Sequence, residues 1–138
     1  MTTAHPASYK TVDAAVYAQL DLPGGKMSFM PYILAGGQSL PPGSVVGLCT
    51  SGPNVGKVVW CSLGATDGSQ TPVGTLREPG YSYDGAGNPL DVSMSVMVTG
   101  RINRLLMNFA DGIGGTIGQT EALRAIGITT DEPAFSDD

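Results

Sequence analysis

The chain has 138 residues, a formal net charge of −5 and only 14% charged residues, and it is punctuated by 20 glycines and 10 prolines. Glycine and proline at this density interrupt helices and exclude a helical bundle. A hydrophobic content of 41% excludes a highly charged disordered chain. What remains is one compact, turn-rich, mainly β domain, since a single core serves this length. The charge is uneven: Asp131, Glu132, Asp137 and Asp138 crowd into residues 131–138, and the body before them is nearly neutral. The 7 basic residues are scattered from Lys10 to Arg124. A nucleic-acid partner requires clustered Lys and Arg, so none is expected.

Residues 1–30 read as an N-terminal arm, 31–130 as the β-rich domain and 131–138 as an acidic tail standing in solvent. Within the arm, Thr11 is placed to cap a short helix reaching Leu20. Met1 to Lys10 holds no apolar stretch of the kind that opens a secretory signal, so synthesis in the cytoplasm and free thiols are expected. Residues 27–56 carry no charged side chain, yet Gly36-Gly37, Pro41-Pro42-Gly43 and Gly52-Pro53 forbid a continuous membrane helix. No membrane partner is expected. Pro31–Ala35 is a short apolar run.

Ser44–Thr50 and Lys57–Leu63 flank turn chemistry and predict a hairpin. A turn centred on Val55 would set Cys49 opposite Cys61. Val46, Leu48, Val58 and Trp60 then share one face, and Val45, Cys49, Val59, Cys61 and Leu63 the other. Both faces are apolar, which predicts burial on both sides.

Val73–Leu76 is a predicted strand, and Pro79–Pro89 a loop. Val92–Thr99 alternates as a half-buried strand should. Arg101–Phe109 fits a helix or a strand. Gly112–Gly118 is a predicted linker, and Gln119–Ile126 a helix stopped by Gly127. Ile128–Thr130 is a candidate edge strand.

Chemistry is sparse. His5 is the only histidine and lies in the arm, so triads and His/Cys metal sites lack their parts. Gly52–Lys57 has the wrong spacing for a phosphate loop, and Val58 stands where Ser or Thr would bind magnesium. These absences argue against an enzyme, a cofactor or a resident metal, and for a protein that works by surface contact.

The segment Ala65-Thr66-Asp67-Gly68-Ser69-Gln70-Thr71-Pro72-Val73-Gly74-Thr75-Leu76 resembles the signature of bacteriophage head decoration, or capsid-cementing, proteins. Pro42–Gly47, Gly56–Val59, Val96–Gly100 and Leu123–Ile128 resemble that family's other strands, its short helix and its closing edge. The signature residues are Thr66, Asp67, Gly68, Gln70, Pro72 and Gly74. The resemblance implies a mainly β, small barrel or β-tulip-like domain with one short C-terminal helix and an extended N-terminal arm. It also implies a homotrimer on the outer surface of the virion head, at three-fold and quasi-three-fold sites. There it would bind the major capsid protein and stabilise the expanded shell against internal DNA pressure. The arm would supply Tyr9, Val12, Val16, Tyr17 and Leu20 to the capsid. The alternative is a β-rich ligand-binding display module, for instance for glycans, with Trp60, Tyr81 and Tyr83 as stacking residues.

Overall fold

The computed structural model describes residues 26–131. The predicted helix at Thr11–Leu20 and the tail after Asp131 lie outside them. Among the described residues, ten strands, a 3-10 turn and one helix follow in order. The strands are β1 (Ser28–Leu34), β2 (Ser39–Leu40), β3 (Val45–Leu48), β4 (Val58–Trp60), β5 (Pro72–Thr75), β6 (Gly80–Tyr81), β7 (Val92–Asn103), β8 (Asn108–Phe109), β9 (Gly112–Ile113) and β10 (Ile128–Asp131). The helix, α1, spans Ile117–Ile126.

Five strands close into a barrel in the order β1-β4-β3-β5-β7, because β7 pairs back onto β1. The closure is antiparallel along β7, from Ser28 opposite Thr99 to Leu34 opposite Val92. On its other side β1 meets β4 in parallel through the single pair Leu34 and Val58. β10 extends the sheet, running parallel to the far half of β7 from Ile128 opposite Gly100 to Asp131 opposite Asn103.

The barrel wall separates two cores. Leu34, Leu40, Val46, Val58, Leu76 and Val96 are buried together and fill the barrel. Val45, Cys61, Met97, Ile102, Met107, Phe109, Leu123 and Ile128 form a second cluster outside the wall. Neighbours such as Val45 and Val46, or Val96 and Met97, divide between the two, as a period of two requires. The β8–β9 hairpin and α1 cover the outer cluster. This explains why β3 and β4 are apolar on both faces, as the sequence predicts, although Leu63, expected on the second face, lies beyond the end of β4 and is exposed.

The hairpin register differs from the predicted one. Val46 faces Trp60 and Leu48 faces Val58, so Cys49 is not opposite Cys61. Instead the Cys49 amide donates to the Lys57 carbonyl at 2.9 Å and the Gly56 amide to the Cys49 carbonyl at 2.8 Å. The cause is tertiary. The amides of Thr50 and Ser51 both donate to the Asp67 carbonyl, at 2.7 and 3.1 Å, and so leave the hairpin early. The slip is an even number of residues, so Val46, Leu48, Val58 and Trp60 still share the barrel face.

Other boundaries move as well. β1 starts at Ser28, upstream of the apolar run, so residues 28–30 belong to the barrel sheet. The 79–89 loop contains β6, paired with β2, and a bridge between Tyr83 and Pro89. Arg101–Phe109 is neither wholly helix nor wholly strand: β7 runs to Asn103, a 3-10 turn follows at Arg104–Leu106, and β8 begins at Asn108. The 112–118 linker holds β9 and the start of α1.

α1 starts at Ile117 because Thr116 and Gln119 form a reciprocal capping box. The Gln119 amide donates to Thr116 Oγ1 at 3.1 Å, and the Thr116 amide to Gln119 Oε1 at 2.9 Å. Gly127 ends the helix in the left-handed region at φ 106°. Leu123 is fully buried, whereas Ile126 is exposed.

Candidate interaction surface

The signature segment is a brace. Ser69 lies across Gly47 of β3 so closely that a Cβ on Gly47 would stand 2.1 Å from the Ser69 carbonyl oxygen. Asp67 organises the turn, its Oδ1 accepting from the Ser69 amide at 3.0 Å and the Ser69 hydroxyl at 2.6 Å. These bonds to the charged form hold the Asp67 carboxyl below the usual range. The Gly68 amide donates to Gln70 Oε1 at 2.9 Å. Gly68 has φ 103°, and any Cβ there would collide with Thr50 Oγ1. Pro72 is buried at the start of β5, and Gly74 is kept side-chain-free by the Val96 methyl facing it. Thr66 and Gln70 are exposed.

Both cysteines are buried free thiols beneath this segment. Cys49 donates to Asp67 Oδ2 and Cys61 to the Gln70 carbonyl, each at 3.5 Å. Burial raises the pKa of both, and the adjacent Asp111 charge helps to push Cys61 up to about 12. Both thiols are therefore packing groups and not nucleophiles.

The most distinctive surface is β1. Phe29, Pro31 and Ile33 point away from the barrel, opposite Met97, Ser95 and Ser93 of β7. Phe29 is 39% exposed and Ile33 41%, and Met27 and Met30 beside them reach 44% and 51%. The Arg77 guanidinium lies 5.8 Å from the Phe29 ring centroid. Among the described residues, the edge of β1 from Ser28 to Ile33 that faces away from β7 has no strand partner. An apolar strand with an open edge is a ready site for another chain. The absence of charge across residues 27–56 allows a surface that meets another protein, but an apolar run reads equally well as strands covered on both faces.

The aromatic candidates separate. Trp60 packs against the barrel core and donates from Nε1 to the Asn108 carbonyl at 3.1 Å, so it is a structural residue. Tyr81 is 59% exposed, with its ring 5.1 Å from that of Tyr83. Tyr83 is tied down by its hydroxyl, which donates to the Gly37 carbonyl at 3.0 Å. One exposed ring on one anchored ring remains of the three proposed stacking residues.

An open cleft of about 620 Å³ lies between α1, β10 and the 3-10 turn. Ile117, Thr120, Glu121 and Arg124 project into it from α1, with Thr129 and Thr130 from β10 and Arg104 from the turn. The spacing of the helix residues places all four on one side.

Tyr9, Val12, Val16, Tyr17 and Leu20, the expected capsid-binding residues, lie outside the described residues, as does His5. Among the described residues, no three His, Cys, Asp or Glu side chains are grouped to hold a metal ion, and no helix is long and apolar enough to cross a membrane. Comparison with protein-family models, curated proteins and solved structures finds no match to this chain.

Proposed function

We propose that this chain is a structural decoration protein of a bacteriophage head. It binds the major capsid protein on the outer surface of the expanded shell as a homotrimer and stabilises the shell. The observation that carries this reading is the outward face of β1. Phe29, Pro31 and Ile33 form an apolar surface, bordered by Arg77, on an open-edged strand. This strand follows residues 1–25, so the arm and the open edge form one continuous segment. The resemblance of Ala65–Leu76 to the cementing-protein signature supports the same reading, and so does that segment's role as the brace that holds β3 and β5. Symmetric assembly is the rule for homo-oligomers, and the number three rests on the resemblance.

The test is binding to expanded heads assembled from the cognate major capsid protein. The full chain is expected to sediment with heads at a fixed stoichiometry and to raise their melting temperature. Deleting residues 1–20 should leave a folded oligomer with an unchanged number of subunits, by light scattering, that no longer coats heads. Equal protection by the truncated chain would remove the arm from the mechanism. Failure of the full chain to bind heads, together with glycan binding abolished by Tyr81→Ala, would favour the display-module alternative.

A further inference from the structure

We infer that Pro31 bars the open edge of β1 to an added strand, and so confines contact at this surface to the side-chain face. The direction of each β1 amide points to this. The Ala35 amide, just past β1, donates to the Val58 carbonyl of β4 at 3.0 Å. The next amide, that of Gly36, turns the other way and donates to Asp91 Oδ1, beside the start of β7, at 2.8 Å. Successive residues of a strand alternate in this manner. β1 keeps an unbroken register with β7 from Phe29 opposite Met97 to Leu34 opposite Val92. Counting back from Ala35 in twos, the backbone groups of Ile33, Pro31 and Phe29 face the β4 side, and those of Leu34, Tyr32 and Met30 face β7. β4 meets β1 only at Leu34. Among the described residues, the edge from Ile33 back to Phe29 therefore has no strand partner, and Pro31 stands at its centre.

Proline has no amide hydrogen. A strand laid along this edge would set a carbonyl opposite Pro31 and find the ring there in place of a donor. That carbonyl would be buried unpaired in the middle of the new ladder. The edge needs such a block. Residues 27–56 carry no charged side chain, so the charges that usually guard an exposed edge are missing from β1. An uncharged segment such as Ser28–Ile33, with two aromatic rings, is prone to self-pairing unless proline interrupts it. The register shift between Ser28 and Phe29 disturbs one end of the edge, and Pro31 interrupts the rest. β10, at the other end of the sheet, is only 4 residues long and ends on Asp131, so shortness and charge protect it. Pro31 takes no bond from β7, because its nitrogen faces away from that strand. A partner then packs on the side chains of Phe29, Pro31 and Ile33 without adding a strand. The block holds whether or not that partner is a phage head.

The experiment uses the full chain without heads, so its outcome is separate from head binding. Pro31→Thr restores an amide to the open edge. In sedimentation velocity over a dilution series, the parent chain should keep a fixed subunit number. The Pro31→Thr chain should grow with concentration, its association constant higher by about tenfold or more. Hydrogen exchange at Phe29 and Ile33 should slow in the grown species, because an added strand takes those amides. Adding Ile33→Pro to Pro31→Thr, which moves the proline along the same edge, should return the parent subunit number. Met30→Pro checks the alternation. Met30 and Ile33 are both partly exposed, but the Met30 amide serves β7. Met30→Pro should lower the thermal midpoint by about ten degrees or more, against a few degrees for Ile33→Pro. Unchanged association of Pro31→Thr would overturn the inference. So would growth that Ile33→Pro does not reverse, or growth that leaves both amides fast, since contact would then run through faces alone. Equal thermal losses for Met30→Pro and Ile33→Pro would overturn it as well.

Discussion

Gly47 shows how a single position couples a strand to the signature loop. A methyl group there would meet the carbonyl oxygen, carbon and Cα of Ser69, all within 2.8 Å, and backbone cannot rotate aside. Gly47→Ala should therefore lower stability by about 1–3 kcal/mol in urea unfolding, as overpacking does. Gly85→Ala, with nothing within 4 Å of the added carbon, should stay within about 0.5 kcal/mol. The aspartates make a second prediction. Asp67, Asp84, Asp91 and Asp111 all have carboxyls held below the ordinary range by hydrogen bonds to the charged form, mainly from Ser69, Asn88, Lys57 and Leu63 respectively. A depressed folded value means that the contribution is present above the unfolded value, near pH 4, and is lost as pH falls through the folded value. The urea midpoint should hold from pH 7 to about 4.5 and fall below pH 4. Asp67→Asn should make that fall shallower.

At the scale of elements, α1 depends on its cap. Ten residues make a marginal helix alone, and only Gln119 and Leu123 are buried. Gln119 links the cap to the rest of the molecule: its Nε2 donates to Asp111 Oδ2 at 3.3 Å, and the Leu63 amide donates to the same oxygen at 2.8 Å. Thr116→Ala should cost about 1 kcal/mol. Hydrogen exchange should accelerate in α1 and much less in β3 and β7. Equal acceleration everywhere would mean that the helix and barrel open as one unit. The Thr116-Ile117-Gly118-Gln119 pattern was legible as a capping box, but the surrounding glycines made it read as a linker. In Arg101–Phe109, by contrast, local preference could not decide. β7 continues there only because β10 arrives to pair with Gly100–Asn103, and a partner from 25 or more residues away leaves no local trace.

At the scale of the whole molecule, the decisive feature is a barrel whose filling and outer cover are separate cores. The double Phe29→Ser and Ile33→Ser variant tests whether the β1 face serves assembly. Both side chains are partly exposed, so the thermal midpoint should shift by only a few degrees. Binding to heads should fall at least tenfold. Retained binding would mean that the open strand is not the contact.

The sequence by itself determined the fold class, the two-sided burial of the central hairpin, the alternation in β7 and the stop at Gly127. Each of these follows from local periodicity or from a conformation only glycine adopts readily. The tertiary structure decided the hairpin register, because the Asp67 carbonyl captures two amides that the turn would otherwise use. It also decided that Trp60 is core while Phe29 is surface. Hydrophobicity states that a side chain favours burial, but which partner buries it depends on how distant strands close.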